Sequence, residues 1–123
     1  MKSMSEEFIR VATKEINEEI DSVAEILKSC NNNSSTIKKA SLIEKHFHKI
    51  KGLAPMMGKG DIGEIAAMTD KILKHVIEGN DLNGVYEILL ESNKFMKDSM
   101  EGANSNMHQL KQKIEAKYAN ILD

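Results

Sequence analysis

The sequence predicts an all-α fold, an antiparallel up-down four-helix bundle with an additional C-terminal helix, on three observations. Apolar residues recur three and four positions apart along successive stretches of the 123-residue chain, the period of a helix that buries one face. No stretch alternates apolar and polar residues as a half-buried strand would, and the chain holds a single proline. The breaks between periodic stretches are short, and short connections make successive helices antiparallel neighbours.

The elements follow in order. Ile9, Ala12, Ile16, Ile20, Val23 and Leu27 mark a first helix from about Met4 to Ser29, stopped by Asn31, Asn32 and Asn33. A second starts after Ser34 or Ser35, either of which could cap it, and buries Ala40, Ile43, Phe47, Ile50, Ala54 and Met57. Pro55 lacks an amide and crowds the preceding turn, so this helix should kink or end between Gly52 and Met57, with Gly58-Lys59-Gly60 as the break. Asp61 and Glu64 have capping-box spacing and open a third helix over Ile62 to Glu78. Its stripe is Ile62, Ile65, Thr69, Ile72 and Val76, and Gly79 is its C-cap. A fourth follows Asn80 or Asp81, with Val85, Ile88, Leu89, Phe95 and Met96 inward, and ends at Gly102. Residues 1–103 would form the bundle. Residues 104–123 would form a fifth helix with Met107, Leu110, Ile114, Tyr118 and Ile121 at helical spacing, packed along the bundle or beginning a linker.

Composition narrows the function. A chain of this length makes one domain with one core and has no room for a nucleotide-binding kinase domain. Aromatic residues are 4% of the chain, so aliphatic residues and eight methionines must fill the interior. One cysteine, Cys30, cannot form an internal disulfide. MKSMSEEF contains no apolar run of signal-peptide length and no run elsewhere approaches the ~20 residues of a membrane span, so a cytoplasmic protein without membrane association is expected. The net charge is −2, yet residues 38–59 hold six lysines against Glu44 alone. This basic patch has no arginine, and its one aromatic residue, Phe47, belongs to the buried stripe, which disfavours nucleic acid and favours an acidic protein cleft.

Within that patch lies His48-Lys49-Ile50-Lys51-Gly52. Residues three and four apart share a helix face, so His48, Lys51 and Gly52 form one small surface: an imidazole, a fixed positive charge and an opening. On a helical wheel His48 falls roughly 100 to 120° from the buried stripe, on its flank with Glu44, Lys51 and Gly52. His46 lies roughly 160° around the helix from His48, so the two cannot hold one metal. Glycine inside a helix costs about 1 kcal/mol against alanine and needs a reason. Asp70, on the third helix, occupies a similar flank.

The stretch HKIKGLAPMMG, His48 to Gly58, resembles the H-x-x-K-G…G stretch of histidine phosphotransfer domains, most closely the N-terminal phosphotransfer domain of CheA-type chemotaxis kinases. The likeness extends more loosely over residues 5 to 101. It implies that His48 accepts a phosphoryl group from a histidine kinase catalytic domain and passes it to the aspartate of a response-regulator receiver domain. It also implies that Asp70, where the family usually has glutamate, hydrogen-bonds the imidazole. Lys51, and less specifically Lys49, would offset phosphoryl charge, and Gly52 would let the partner approach. ATP and Mg²⁺ would be supplied on the partner proteins, with no cofactor or metal in this chain. The sequence departs from the family at Pro55, usually a small residue, and at Ala67, often a second histidine.

Other chemistries find little support. His46, His48, His75 and His108 lack metal-ligand spacing, and no P-loop is present. Gly58, Gly60 and Gly63 match G-x-G-x-x-G without the strand that motif needs. The alternative reading, from another class, is an adaptor or dimerisation module that docks through its basic face and is not phosphorylated.

Overall fold

The computed structural model describes residues 4–103 and 106–122, and among these all regular structure is helical. The helices are α1 (Met4–Ser29), α2 (Asn33–Lys38), α3 (Ala40–Leu53), α4 (Gly60–Ile77), α5 (Val85–Met100) and α6 (Met107–Leu122), with a 3₁₀ turn over Pro55–Met57. None of them is long and apolar enough to cross a membrane. The expectations for residues 1–3, 104, 105 and 123 lie outside the described residues.

The second predicted helix is two helices. Asn32, in extended conformation, accepts the Ser35 amide on its side chain at 2.9 Å, so Asn32 and not Ser34 or Ser35 is the cap. Lys39 then departs from helical geometry (φ −105°, ψ 12°), which steps the chain from α2 into α3. Asn33 does not stop a helix but begins one. Its Oδ1 accepts the Val85 amide at 2.8 Å and its Nδ2 donates to the Leu82 carbonyl at 2.8 Å, capping α5 from 52 residues away. That bond explains why α5 starts at Val85 and not directly after Asn80 or Asp81. Asn80 instead donates to the His75 carbonyl and closes α4.

The break after α3 falls where Pro55 predicts it. α3 ends at Leu53, the 3₁₀ turn follows, and Gly58 takes φ +75° to reverse the chain. A Cβ on Gly63 would sit 2.9 Å from Pro55 Cγ, so glycine there lets the first turn of α4 close on the proline ring. The Asp61–Glu64 capping box does not form. The helix already begins at Gly60, so Asp61 falls inside its first turn, where it accepts the Ile62 amide and the Ser99 hydroxyl, while Glu64 pairs with Lys111 of α6.

The core is built on isoleucine. Ile16, Ile20, Ile43, Ile50, Ile62, Ile65, Ile72 and Ile88 are buried around Phe47, whereas Met96 is the one fully buried methionine among the described residues and Met56 is exposed. Branched side chains with few rotamers fill this interior in place of the expected methionines. Ile9 is also outside the core, because α1 has 26 residues against 14 and 16 in its partners α3 and α5, and its first turns outrun them. α6 packs on α4 and α5, burying Leu110, Ile114 and Tyr118 in the same core. The Tyr118 hydroxyl donates to the Asn83 carbonyl at 2.6 Å, and burial pushes its pKa up to about 12.

Candidate functional site

α3 and α4 make the most extensive helix pairing in the molecule, and the site lies along one edge of it. Phe47 and Ile50 point into the core, so the intervening positions His48 and Lys49 face outward. The His48 side chain is 57% exposed, and across the seam Asp70 of α4 is 2% exposed. His48 Nδ1 lies 3.4 Å from Asp70 Oδ2, a long contact for an N–H···O bond. An ionised carboxylate only accepts, so Nδ1 carries the proton and Nε2 keeps its lone pair. Among the described residues Nε2 has no hydrogen-bond partner.

The same carboxylate oxygen holds two ammonium groups, Lys51 Nζ of α3 and Lys74 Nζ of α4, each at 3.1 Å. Burial alone would raise the Asp70 pKa, but hydrogen bonds from Glu44, Lys51, Lys74 and His48 outweigh it and hold the carboxyl at about 2. Asp70 is therefore ionised at neutral pH. Its other oxygen, Oδ1, is buried without a hydrogen-bond partner. Glu44, one turn before His48, brings Oε2 to 3.8 Å from Nδ1. Its pKa is raised, first by hydrogen bonding to Asp70 and then by burial.

Glu44, His48 and Asp70 present donor atoms within 4.8 Å of one another, close enough to surround a cation. Lys51 and Lys74 already neutralise the carboxylate at that point, and a cation seated there would face both ammonium groups.

A second histidine pair occupies the opposite flank of α3. His46 Nδ1 lies 2.6 Å from Glu19 Oε1 of α1, and the His46 side chain is 21% exposed. Lys49 Nζ reaches Glu19 Oε2 at 3.7 Å, so Lys49 pairs toward α1 and away from Asp70. Between the flanks runs a shallow groove lined by Leu42, Glu44, Lys45, His46, His48 and Lys49. Gly52 is exposed, and a Cβ added there would meet nothing within 4 Å.

Two further side chains, Glu44 and Lys74, complete the site. Glu44 is four residues before His48 and Lys74 four after Asp70, so the i,i+4 rule pointed to both. The remaining candidates lie elsewhere. Cys30 is buried, His75 pairs with Glu78, Gly58 makes the turn before α4, and Gly60 and Gly63 lie in the first turn of α4. A cleft of about 830 Å³ between α5 and α6 contains none of the candidate residues.

Compared with protein-family models, with curated proteins and with solved structures, the chain matches none of the three.

Proposed function

We propose that this chain is a histidine phosphotransfer module of two-component, chemotaxis-like signalling, with His48 as the phosphoacceptor. One observation carries the reading: an exposed imidazole whose Nδ1 is turned toward a buried, ionised carboxylate and whose Nε2 is open to an approaching partner. The supporting carboxylate is fixed by two lysines on two helices, so the ring's anchor is rigid while its reactive edge is free.

In this reading a partner histidine kinase domain supplies ATP and Mg²⁺. The Nε2 lone pair forms the N–P bond as the bond from the γ-phosphorus to the ADP oxygen breaks, leaving that electron pair on ADP. Asp70 orients the ring and stabilises the positive charge that develops on it. Lys51, three residues after His48 on the same helix face, would offset the charge of the incoming phosphoryl group. Among the described residues nothing packs into the space a Gly52 side chain would take, which supports its role as the opening through which kinase and receiver domains close on His48. Lys49 would act from the outer face of α3, with Lys45, as part of a basic docking surface for an acidic partner cleft. A response-regulator aspartate then takes the phosphoryl group. The up-down antiparallel arrangement of α1, α3, α4 and α5, and a cytoplasmic location, belong to the same reading.

The adaptor reading draws on the basic face itself, with Lys45 and Lys49 beside the exposed Leu42 as docking contacts that need no chemistry. Incubation with ATP, Mg²⁺ and CheA-type kinase cores separates the two. Acid-labile, alkali-stable phosphate on the chain supports phosphotransfer, and its absence with several such cores supports the adaptor.

A further inference from the structure

Three carboxylate-facing facts converge on Glu44. It lies one helical turn before His48 on α3, its Oε2 is 3.8 Å from the ring nitrogen that carries the proton, and its side chain is largely buried against the seam. Asp70 has one oxygen saturated by His48, Lys51 and Lys74 and one buried oxygen with no partner. A buried lone acceptor costs stability until a donor reaches it. The groups facing Glu44 are His48 on its own helix and Asp70 and Lys74 on α4, with Lys51 joined through Asp70.

We propose that Glu44 is the proton acceptor of this site: it takes the Nδ1 proton of His48 when the ring is phosphorylated on Nε2 and returns it when the phosphoryl group leaves. This rests on the phosphotransfer reading above. Phosphorylation of a neutral ring creates a positive charge shared by both nitrogens, and the proton on Nδ1 becomes acidic. Asp70 is the nearer carboxylate but a poor base, because Lys51 and Lys74 hold it ionised. Glu44 is the better base. Once protonated, its O–H can donate to the Asp70 carboxylate, which is why the neutral form of Glu44 is favoured there. Two adjacent carboxyl groups are thus pushed apart in basicity, one fixed as the anion that orients the ring and one free to exchange a proton. In the return step Glu44 gives the proton back to Nδ1. The receiver carboxylate attacks phosphorus, and the N–P electron pair returns to a ring that leaves as neutral imidazole.

Two measurements test this, and the first needs no phosphorylation. Side-chain carboxyl ¹³C titration should place the Glu44 midpoint above the ordinary glutamate range in the wild-type protein and return it toward that range in Asp70→Asn. Equal midpoints in the two proteins would overturn the proposal. The second is the pH profile of phosphotransfer with a CheA-type kinase core. Glu44→Gln should slow transfer about tenfold and remove the limb that follows Glu44 ionisation, whereas Glu44→Asp should retain that limb. An unchanged profile in Glu44→Gln, with normal labelling of His48, overturns the role of Glu44 and leaves the phosphotransfer reading intact. Absence of label on the wild-type chain instead counts against the phosphotransfer reading and against the proton exchange that rests on it.

Discussion

Two flanks of α3 carry the same three kinds of residue and differ in what they leave exposed. On one, His48 faces Asp70 of α4, with Lys51 on the same carboxylate; on the other, His46 faces Glu19 of α1, with Lys49 on that carboxylate. The His46 pair is short at 2.6 Å and its ring is mostly covered, so it ties α1 to α3. The His48 pair is longer at 3.4 Å and its ring is mostly open. What separates a strut from a candidate reactive group here is not residue type. It is the second lysine, Lys74, and the second carboxyl, Glu44, which anchor the acid on the α4 side and leave the imidazole accessible.

The comparison is broken most directly by removing each histidine. His48→Gln should abolish phosphorylation, a loss of more than about a hundredfold, while urea unfolding stays within about 0.5 kcal/mol of wild type, as for other exposed positions. Next in size is Asp70→Asn, which keeps the shape but removes the charge facing two lysines. The Asp70 carboxyl titrates near 2 in the folded chain, below its unfolded value of about 3.9. Its contribution, on the order of 2 kcal/mol once solvent screening of the half-exposed lysines is allowed for, is present above pH ~4 and is lost as the pH falls through about 2. Glu44, shifted upward, acts in the opposite sense, stabilising at low pH and losing that contribution as the pH rises through its folded value. Unfolding followed between about pH 5 and pH 2 should therefore show a shallower acid loss in Asp70→Asn. Transfer to His48 should also slow at least about tenfold in this variant.

A smaller effect is expected on the other flank. His46→Gln should cost about 1 kcal/mol by loosening the bond to Glu19, with phosphorylation unchanged within about twofold. A loss of phosphorylation there would erase the distinction between strut and acceptor. Gly52→Ala sharpens it further. With open space around the added methyl group, the variant should gain up to about 1 kcal/mol in stability, as glycine-to-alanine changes in helices do. The same methyl group would stand where a partner closes, so transfer should slow several-fold. A faster or unchanged transfer rate would remove Gly52 from the docking surface.

Much of the helical pattern was legible because a 3.6-residue period is written locally. The stripes of α3, α4 and α5 hold almost residue for residue, with Met57 half-buried, and Pro55 ends α3 where its missing amide requires. What escaped was non-local. Asn33 caps a helix 52 residues away, and nothing near it in the sequence announces that bond. The step at Lys39 divides the predicted second helix just before its apolar stripe begins at Ala40, without a breaker residue. At the site, the flank positions of His48, Lys51 and Asp70 followed from the helical wheel, whereas the contact between Asp70 and His48 depends on how α4 is set against α3. Glu44 and Lys74 were visible as i,i+4 neighbours, but their meaning required knowing that Asp70 is buried. Glu19 with His46 and Lys49 had no sequence signal, since 27 residues separate Glu19 from His46 and a turn lies between them.

That His48 is a phosphoacceptor, with Nδ1 turned to Asp70 and Nε2 reacting, is tested most directly by ¹H–³¹P correlation NMR. The wild-type chain would be kept at alkaline pH after incubation with a CheA-type kinase core, ATP and Mg²⁺. A single phosphoramidate on the ring of His48, bonded at Nε2, is the predicted result. Phosphate on Nδ1, on His46 or on any other side chain, or no phosphoramidate at all, would contradict it.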